Sequence, residues 1–369
     1  MEIKQLTKKD YEKWDEFCNV SDDCWFWHTS KWLEYTLNYN PSLNSELKSF
    51  FIIKNNKIIA ICPLLLEEIN GLKEFSFGGS YTPLPAFANE LRRKEKEKVR
   101  KLIFETIDKL AKQEGVKKVS FRFVVLNKSF VENPRKNNYL MRFNYIDNSI
   151  NTQVIDLRKD LGRLRMDVRH GHDSDIDKSS KMLKGEIFDK NNITKEIFDK
   201  YVDLHLRASG RKTRPQITFD MMFDWIKQGD AFLVGARLQE MEEQEVSKDR
   251  FIGFSYFFAY KNNVYYGSAC NNPEIENKEN IAIAHFIQWN AIEYMQRKYN
   301  FYELGWQPYS NTLADFPSEK ELYISRFKRG FGGFTIPLFR GEKYYDKDYF
   351  LQIYDKRVKK FAENLENSD

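Results

Sequence analysis

The stretch from residue 302 to residue 333 reads YELGWQPYSNTLADFPSEKELYISRFKRGFGG. An apolar strand pattern at 301–306 leads into a polar loop and a short helical segment. The stretch ends at 327–333 with cations and glycines side by side. Glycine permits close backbone approaches, and lysine or arginine beside it can meet an anionic ligand. The stretch therefore predicts a strand–loop–helix unit whose glycine-rich end is suited to an anion.

This stretch resembles the C-terminal signature of the Fem-type branch of the GNAT acyltransferase superfamily. Those enzymes build peptidoglycan cross-bridges, and they have relatives in glycan biosynthesis clusters. The resemblance covers about residues 20–340 and is strongest over 200–340. It implies an α/β fold of tandem GNAT-like domains, each a mixed, largely antiparallel sheet with flanking helices. We expect an N-terminal domain at 1–158 and a C-terminal domain at 159–369 that includes a bridging helix and a C-terminal helix.

Length and composition favour a globular protein with free thiols. The 369 residues suffice for more than one domain, and aromatic residues make up 15% of the chain. Charged residues make up 31%, and no run of about 18 apolar residues occurs, which argues against a transmembrane helix. The N-terminus lacks the apolar core of a secretory signal, and the cysteines lack CxxC spacing. We therefore expect a cytoplasmic protein without stable membrane insertion.

The two halves of the chain share an order of elements. Each half contains strand patterns separated by turn residues, at 49–53, 58–66 and 75–80 and at 231–238, 251–260 and 264–268. Each half continues with an amphipathic helix and a strand, at 99–110 and 119–125 and at 281–295 and 301–306. The central order of a GNAT domain is a three-strand meander followed by a helix and a strand. In the first half, Gly115 is expected to end the helix. The pattern therefore predicts a tandem repeat.

The pair Phe327–Lys328 is the candidate for catalysis. In compact Fem-type enzymes, a phenylalanine–lysine pair at this position of the motif is tied to the acyl donor and to catalysis. By that resemblance, Lys328 would stabilise negative charge on the attacked carbonyl or on a phosphate. The alternative is a lysine whose stem packs over a glycine-rich turn while its head lies in water.

The segment HLRASGRKTRP at 205–215 is the densest cluster of cations. It lies between two predicted helices, at 189–204 and 218–227. Guanidinium groups make bidentate bonds to phosphate oxygens, and a similar motif in Fem-like proteins implies that Arg211 and Arg214 bind a phosphate of the acceptor. The alternatives are a solvated basic loop, or ion pairs with Asp220 or Asp224 that only brace the domain.

Further residues are candidates for substrate contact, namely Lys31, His205, His285 and Trp306. Lys31 follows the aromatic run WFWHTS at 25–30, which resembles the N-terminal signature of the Fem-type branch. The aromatic residues of that run are more typical of a core, and Thr29 or Ser30 can cap the helix that begins near Lys31. Both histidines are more typical of structural histidines than of general bases, although His285 lies on a helix that is expected to face the cleft.

The segment HGHDSDID at 170–177 superficially resembles a metal site. Metal ligands must converge on one point, whereas these residues follow one another along a single charged segment without an indicated distant partner. A related histidine-and-glycine bridge in the resembled family is not a metal centre. We therefore predict no metal ion.

Phosphate-loop, dinucleotide and serine-hydrolase motifs are absent from the sequence. Acetyl-CoA-binding GNAT domains carry a glycine loop before the central helix, whose backbone amides hold the pyrophosphate. The corresponding stretches, 88–93 and 271–279, contain no glycine. The sequence therefore favours aminoacyl-tRNA over acyl-CoA as the donor and indicates no resident cofactor.

The resemblance implies transfer of an acyl or aminoacyl group to an amine. The acceptor would be a phosphate-bearing peptidoglycan precursor, a nucleotide sugar or another cell-surface glycan intermediate. One alternative is an acyl-CoA-dependent N-acyltransferase of amino sugars. Another is a non-catalytic protein that binds a glycan or nucleotide on the same scaffold.

Overall fold

Helices and strands of the chain are divided between two units. The computed structural model describes residues 1–132, 137–239, 251–275, 281–308 and 313–366. One unit comprises Met1–Thr152, Trp306–Ser325 and Ile336–Asp369, and the other comprises Gln153–Gly305 and Arg326–Thr335. The predicted α/β class with a sheet system in each unit is confirmed. Among the described residues, every helix is too short or too polar to span a bilayer.

The elements follow one another in mixed α/β order. Up to residue 147 they are β1 (Glu2–Gln5), α1 (Tyr11–Val20), α2 (Ser30–Tyr39), β2 (Glu46–Leu47), β3 (Phe50–Lys54), β4 (Lys57–Cys62), β5 (Leu65–Ile69), β6 (Leu72–Phe75), β7 (Thr82–Pro83), β8 (Ala86–Phe87), α3 (Arg93–Glu114), β9 (Lys118–Arg122), α4 (Lys128–Val131) and β10 (Ile146–Asp147). The later elements are β11 (Ile150–Asp156), α5 (Leu161–Met166), α6 (His170–Ser180), β12 (Leu183–Phe188), α7 (Lys195–Ser209), α8 (Gln216–Gln228), β13 (Ala231–Leu238), β14 (Gly253–Tyr260), β15 (Asn263–Asn271), α9 (Ile283–Gln296), β16 (Phe301–Gln307), α10 (Glu319–Arg329), β17 (Phe334–Leu338), β18 (Arg340–Tyr344) and α11 (Lys347–Glu366).

The first unit contains two sheets. One has the strand order β1–β3–β4–β8, and the other has the order β10–β18–β9–β6–β5–β2. β18 comes from the C-terminal part of the chain and pairs antiparallel with β9, with Arg340 opposite Arg122. In the sheet system of the second unit the order is β12–β13–β14–β15–β16–β11–β17.

The predicted strand at 58–66 is two strands rather than one. Pro63 lies between β4 and β5 and has no N–H to donate to a ladder. β4 pairs with β3 in one sheet, whereas β5 pairs with β6 in the other. The predicted strand at 75–80 is also wrong, because β6 ends at Phe75 and an isolated bridge then joins Phe77 to Ser80. The first predicted meander is therefore divided between two sheets.

The other part of the predicted repeat is confirmed. β13, β14 and β15 pair antiparallel in sequence order, which is the predicted meander of the second half. A helix then separates two parallel strands in both units, since α3 precedes β9, which pairs with β6, and α9 precedes β16, which pairs with β15. Helix α3 ends at Glu114, directly before the predicted stop at Gly115.

The predicted aromatic core at the N-terminus is also present. Trp25 and Phe26 are fully buried, and the indole N–H of Trp14 donates to the carbonyl of His28 over 2.6 Å. The hydroxyl of Thr29 accepts a hydrogen bond from the amide of Trp32, so the predicted cap of α2 is confirmed.

In the second unit, helix α6 holds the C-terminal turn of α10. Nε2 of His172 donates to the carbonyl of Phe327 over 2.9 Å, and the amide of Arg169 donates to the carbonyl of Gly330 over 2.8 Å. A β-carbon at position 330 would lie 2.1 Å from Nε2 of His172. The imidazole thus occupies the space of a side chain, which makes Gly330 necessary for the contact.

Gly330→Ala is expected to lower the free energy of unfolding by about 1–3 kcal/mol, because the added methyl group overpacks the contact with His172. Gly171→Ala is the matched control, since a β-carbon there meets nothing within 4 Å. That substitution should leave stability unchanged or raise it slightly, because alanine favours helix more than glycine does. Denaturant unfolding of the two variants checks this, and equal stabilities would contradict the described packing.

Candidate functional site

Lys328 lies on the last turn of α10, and its ammonium group lies beside Gly305 of β16. A β-carbon on Gly305 would be 3.3 Å from Nζ of Lys328 and 3.1 Å from the hydroxyl of Tyr265. Gly305 also has a φ of +93°, in the region that side chains disfavour. The absence of a side chain at this position lets the ammonium group and the phenol converge over the same piece of backbone.

Burial lowers the affinity of the Lys328 amine for its proton. Loss of hydration lowers the pKa of Lys328 to about 8, and the carboxylate of Glu303 partly opposes the shift. Glu303 is only 5% exposed and precedes Gly305 by two residues on the same strand. Lys328 is therefore mostly protonated at neutral pH. A cation in such a poorly hydrated place interacts strongly with negative charge that develops next to it.

The ammonium group lies where two parallel strands stop pairing. In the described residues, the ladder between β15 and β16 runs from Asn263 opposite Phe301 to Tyr265 opposite Glu303. Both strands continue past this pair, and Gly305 follows Glu303 after one residue. The strands therefore diverge at the point where Lys328 and Tyr265 meet.

A bulge in β15 accompanies this divergence. Tyr256 of β14 lies opposite Ser268, and the next residue, Phe257, lies opposite Tyr266. Gly267 is thus the extra residue, and a β-carbon there would lie 2.6 Å from the ring of Phe258. Bulges redirect a strand and occur often next to functional sites.

Phe327 has a different environment from Lys328. Its ring lies 4.9 Å from the ring of His285, 5.6 Å from that of His172 and 5.0 Å from that of Phe331. Burial lowers the pKa of His285 to about 4, and neighbouring His172 adds to the shift, so His285 is neutral at pH 7. The structure thus brings two predicted residues, Phe327 and His285, into one aromatic cluster that fixes the turn carrying Lys328.

His172, Asp175 and His285 have potential ligand atoms within 4.8 Å of one another. Sequence spacing did not indicate this grouping, because His285 comes from a distant helix. However, Nδ1 of His172 accepts from the guanidinium group of Arg169 over 2.9 Å, and Nε2 donates to Phe327 over 2.9 Å. Both ring nitrogens are engaged, so a metal ion would have to displace one of these bonds. The donor set therefore fits a structural role better than a metal site.

The predicted basic loop follows α7 and separates it from α8. Arg211 is exposed, and within the described part of the chain its side chain makes no ion pair. Arg214 is half-buried, with its guanidinium group 5.3 Å from the ring of Phe219. Burial, with a smaller effect of Arg214, lowers the pKa of His205 to about 4. Asp220, a suggested partner of the arginines, accepts a hydrogen bond from Gln216 over 3.1 Å.

The remaining predicted residues belong to the first unit. Lys31 lies in the first turn of α2 and is partly exposed. Trp306 directly follows Gly305 and is 45% exposed, which is high for a tryptophan in a strand. Their assignment to substrate contact remains a prediction.

Two residues near Lys328, Glu303 and Tyr265, were not predicted from the sequence. Glu303 had a signal, because a carboxylate inside the apolar strand pattern FYELGW predicts a buried charge that needs a partner. Tyr265 had none, because its approach to Lys328 depends on a strand register set by residues distant in sequence.

Solved structures of similar architecture are known. No protein-family model and no curated protein matches the sequence. The structure of FemX is similar, with a TM-score of 0.63 at 12% identity, covering 96% of this chain and 100% of FemX. L-PGS from Bacillus licheniformis has a TM-score of 0.55 at 11% identity over 96% of this chain and 97% of L-PGS. A tandem GNAT protein from the clavulanic acid biosynthesis pathway has a TM-score of 0.50 at 11% identity over 93% and 98% of the two chains. At these identities the likeness concerns the fold, and the chain has the tandem GNAT fold of the FemX type.

Proposed function

We propose that this chain is an acyl- or aminoacyltransferase that modifies an amine of a peptidoglycan precursor, nucleotide sugar or cell-surface glycan intermediate. The observation that carries the proposal is the buried ammonium group of Lys328 beside Gly305, where β15 and β16 diverge. A gap between strands can admit an extended acyl donor, and a cation at its edge can meet the carbonyl oxygen. The resemblance of the sequence to Fem-type enzymes and the likeness of the fold to that of FemX support the proposed reaction class.

The proposed step requires little covalent chemistry from the protein itself. The acceptor nitrogen forms a bond to the carbonyl carbon of the donor, and the bond from that carbon to the leaving oxygen breaks. The proton lost by the amine ends on the leaving oxygen. During the attack the carbonyl oxygen gains negative charge, which Lys328 stabilises, with the hydroxyl of Tyr265 as a second donor. The negative charge of Glu303 favours the protonated form of Lys328.

Aminoacyl-tRNA is the proposed donor. The stretch before α3, residues 88–93, contains no glycine, and the stretch before α9, residues 271–279, contains none either. Backbone amides in a glycine loop are the usual cradle of a CoA pyrophosphate in GNAT domains, so their absence counts against acyl-CoA. Residues 276–280 lie outside the described residues.

The basic loop is the proposed site for a phosphate of the acceptor. The hydroxyl of Ser209 donates to the carbonyl of Arg211 over 2.7 Å, which ties the loop to the end of α7. Arg211 is exposed, and Arg214 lies against Phe219 beside neutral His205. The half-buried guanidinium group of Arg214 and the exposed one of Arg211 can together bind a diphosphate by paired N–H···O hydrogen bonds.

Lys328→Ala is expected to lower the transfer rate by about 100- to 1,000-fold with little change in acceptor KM, because the interaction strengthens in the transition state. The wild-type rate should fall as pH rises through about 8, where Lys328 loses its proton. Lys328→Arg should move this fall to higher pH, because arginine stays protonated. Single-turnover rates between about pH 6.5 and 9.5 check these expectations.

Lys320→Ala is the matched control for this experiment, because Lys320 is an exposed lysine in the first turn of the same helix. Titration of the acceptor amine is common to all variants, so the difference between Lys328→Arg and wild type isolates the lysine. An unchanged rate in Lys328→Ala would contradict the proposal. A wild-type rate that rises through pH 8 relative to that of Lys328→Arg would make the neutral lysine a base instead.

Arg211→Lys is expected to weaken binding of the acceptor by about tenfold, although the charge is kept, because lysine cannot make bidentate bonds. The measurement is calorimetry with UDP as the diphosphate probe, together with thermal unfolding of each variant. Arg207→Lys is the matched control, since Arg207 is exposed on the preceding helix. Preserved affinity with a lowered melting temperature would assign the arginine to bracing the domain and end the phosphate proposal.

A further inference from the structure

The helices on either side of the basic loop form a hairpin in the second unit. The ring of Phe198 lies 5.4 Å from that of Phe223, and the ring of His205 lies 5.7 Å from that of Phe219. The sequence separation of these contacts decreases toward the loop, so α7 and α8 pack antiparallel. Residues 206–217, which we call the hairpin tip, therefore close one end of this pair of helices.

Two apolar side chains are exposed at the hairpin tip. Leu206 on the last turn of α7 is 46% exposed, and Ile217 on the first turn of α8 is 48% exposed. Leu206 directly follows His205, and Ile217 precedes Phe219 by two residues, so the ring contact between α7 and α8 brings both to the same end of the hairpin. Single exposed apolar residues are common on protein surfaces, whereas a pair at one end of a hairpin favours burial against an apolar phase.

The charged groups of the hairpin tip are all cationic. The sequence has no aspartate or glutamate between Asp203 and Asp220, whereas Arg207, Arg211 and Lys212 are exposed there. Among the residues that the structure describes, none of these three cations makes an ion pair. The hairpin tip therefore presents uncompensated positive charge beside exposed apolar surface.

This combination distinguishes between kinds of partner. A purely apolar partner would leave the cations without counter-charge, and a nucleic acid would leave the apolar side chains in water. An anionic lipid bilayer meets both requirements, because its headgroup phosphates attract lysine and arginine and its acyl boundary takes up leucine and isoleucine.

Hydrogen bonds within the hairpin tip fix its backbone. Gly210, with a φ of +65°, ends α7. The hydroxyl of Ser209 donates to the carbonyl of Arg211 over 2.7 Å, and the hydroxyl of Thr218 donates to the carbonyl of Pro215 over 2.7 Å. These bonds use hydroxyl and backbone groups alone, so they leave the charged side-chain groups unengaged. A preformed backbone reduces the conformational entropy that is lost on docking.

We propose that the hairpin tip docks on an anionic lipid bilayer, with Leu206 and Ile217 in the interface and Arg207 and Lys212 among the headgroup phosphates. Arg211 adds charge to the same surface. The docking requires only the charge of Arg211 and not its bidentate hydrogen bonds, so it is independent of the proposed acceptor site and of the transfer reaction.

Co-sedimentation of the full chain with lipid vesicles tests the proposal. One set of vesicles contains phosphatidylcholine alone, and the other contains about 30% phosphatidylglycerol in phosphatidylcholine. We expect the protein to bind the anionic vesicles at least about tenfold more tightly, with an affinity that falls with added salt. Equal affinity for the two kinds of vesicle, or no binding to either, would overturn the proposal.

Substitution of the exposed apolar pair tests their place in the interface. The double variant Leu206→Gln with Ile217→Gln should bind the anionic vesicles at least about tenfold more weakly, because it removes the side chains that enter the bilayer. Met166→Gln is the matched control, since Met166 is an apolar residue of α5 that is 86% exposed and lies outside the hairpin tip. Equal affinities of the double variant and the control, with unchanged melting temperatures, would contradict the proposal.

A charge substitution tests the electrostatic part. Lys212→Gln should weaken binding to the anionic vesicles by about fivefold. Lys227→Gln is the matched control and should bind as the wild type does, because Lys227 is exposed at the opposite end of α8. An equal effect of the two substitutions would show a diffuse attraction of the whole protein and contradict docking by the hairpin tip.

The same measurements separate this proposal from the acceptor site and from other partners. Arg211→Lys keeps the charge, so it should bind vesicles as the wild type does even where its affinity for UDP falls. Binding of bulk tRNA without binding of vesicles would assign the hairpin tip to a nucleic acid and overturn the proposal. Formation of a dimer that the Leu206 and Ile217 double variant abolishes, again without vesicle binding, would assign the hairpin tip to a second copy of the chain and overturn it likewise.

Discussion

A hydrogen bond from the imidazole of His172 to the carbonyl of Phe327 fixes the turn on which the candidate site is built. The turn approaches the imidazole closely enough that position 330 has no room for a β-carbon. Because Nδ1 of His172 accepts from Arg169, the ring is neutral and its Nε2 carries the proton. Burial lowers the pKa of His172, which maintains this protonation state. Phe327 then faces the core, and the next residue, Lys328, extends toward Gly305.

The strand register determines what Lys328 meets. The last pair of the β15–β16 ladder is Tyr265 with Glu303, and the ammonium group lies next to both of these residues. Burial lowers the pKa of the lysine while the carboxylate keeps it from falling further. The result is a protonated but poorly hydrated cation at neutral pH. On our proposal, that cation stabilises the carbonyl oxygen of a donor that enters between the diverging strands.

Local patterns in the sequence predicted local structure well. The cap at Thr29 and the end of α3 before Gly115 depend on near neighbours, and both are confirmed. Pro63 argues against a continuous strand at 58–66, but the apolar pattern on both sides of it favoured one strand. Pairing between distant segments could not be predicted, as for β18 with β9. For the same reason the motif indicated Lys328, but the approach of Tyr265 required the structure.

The environment of Lys328 can be measured without knowledge of the substrate. The protein is labelled with ¹³C at the ε-carbons of its lysines, and Lys328→Arg assigns the relevant resonance. The account predicts that one resonance, absent from Lys328→Arg, titrates near pH 8, against the ordinary lysine value of 10.5. A resonance of Lys328 that titrates with the exposed lysines near 10.5 would show a hydrated ammonium group and contradict the account.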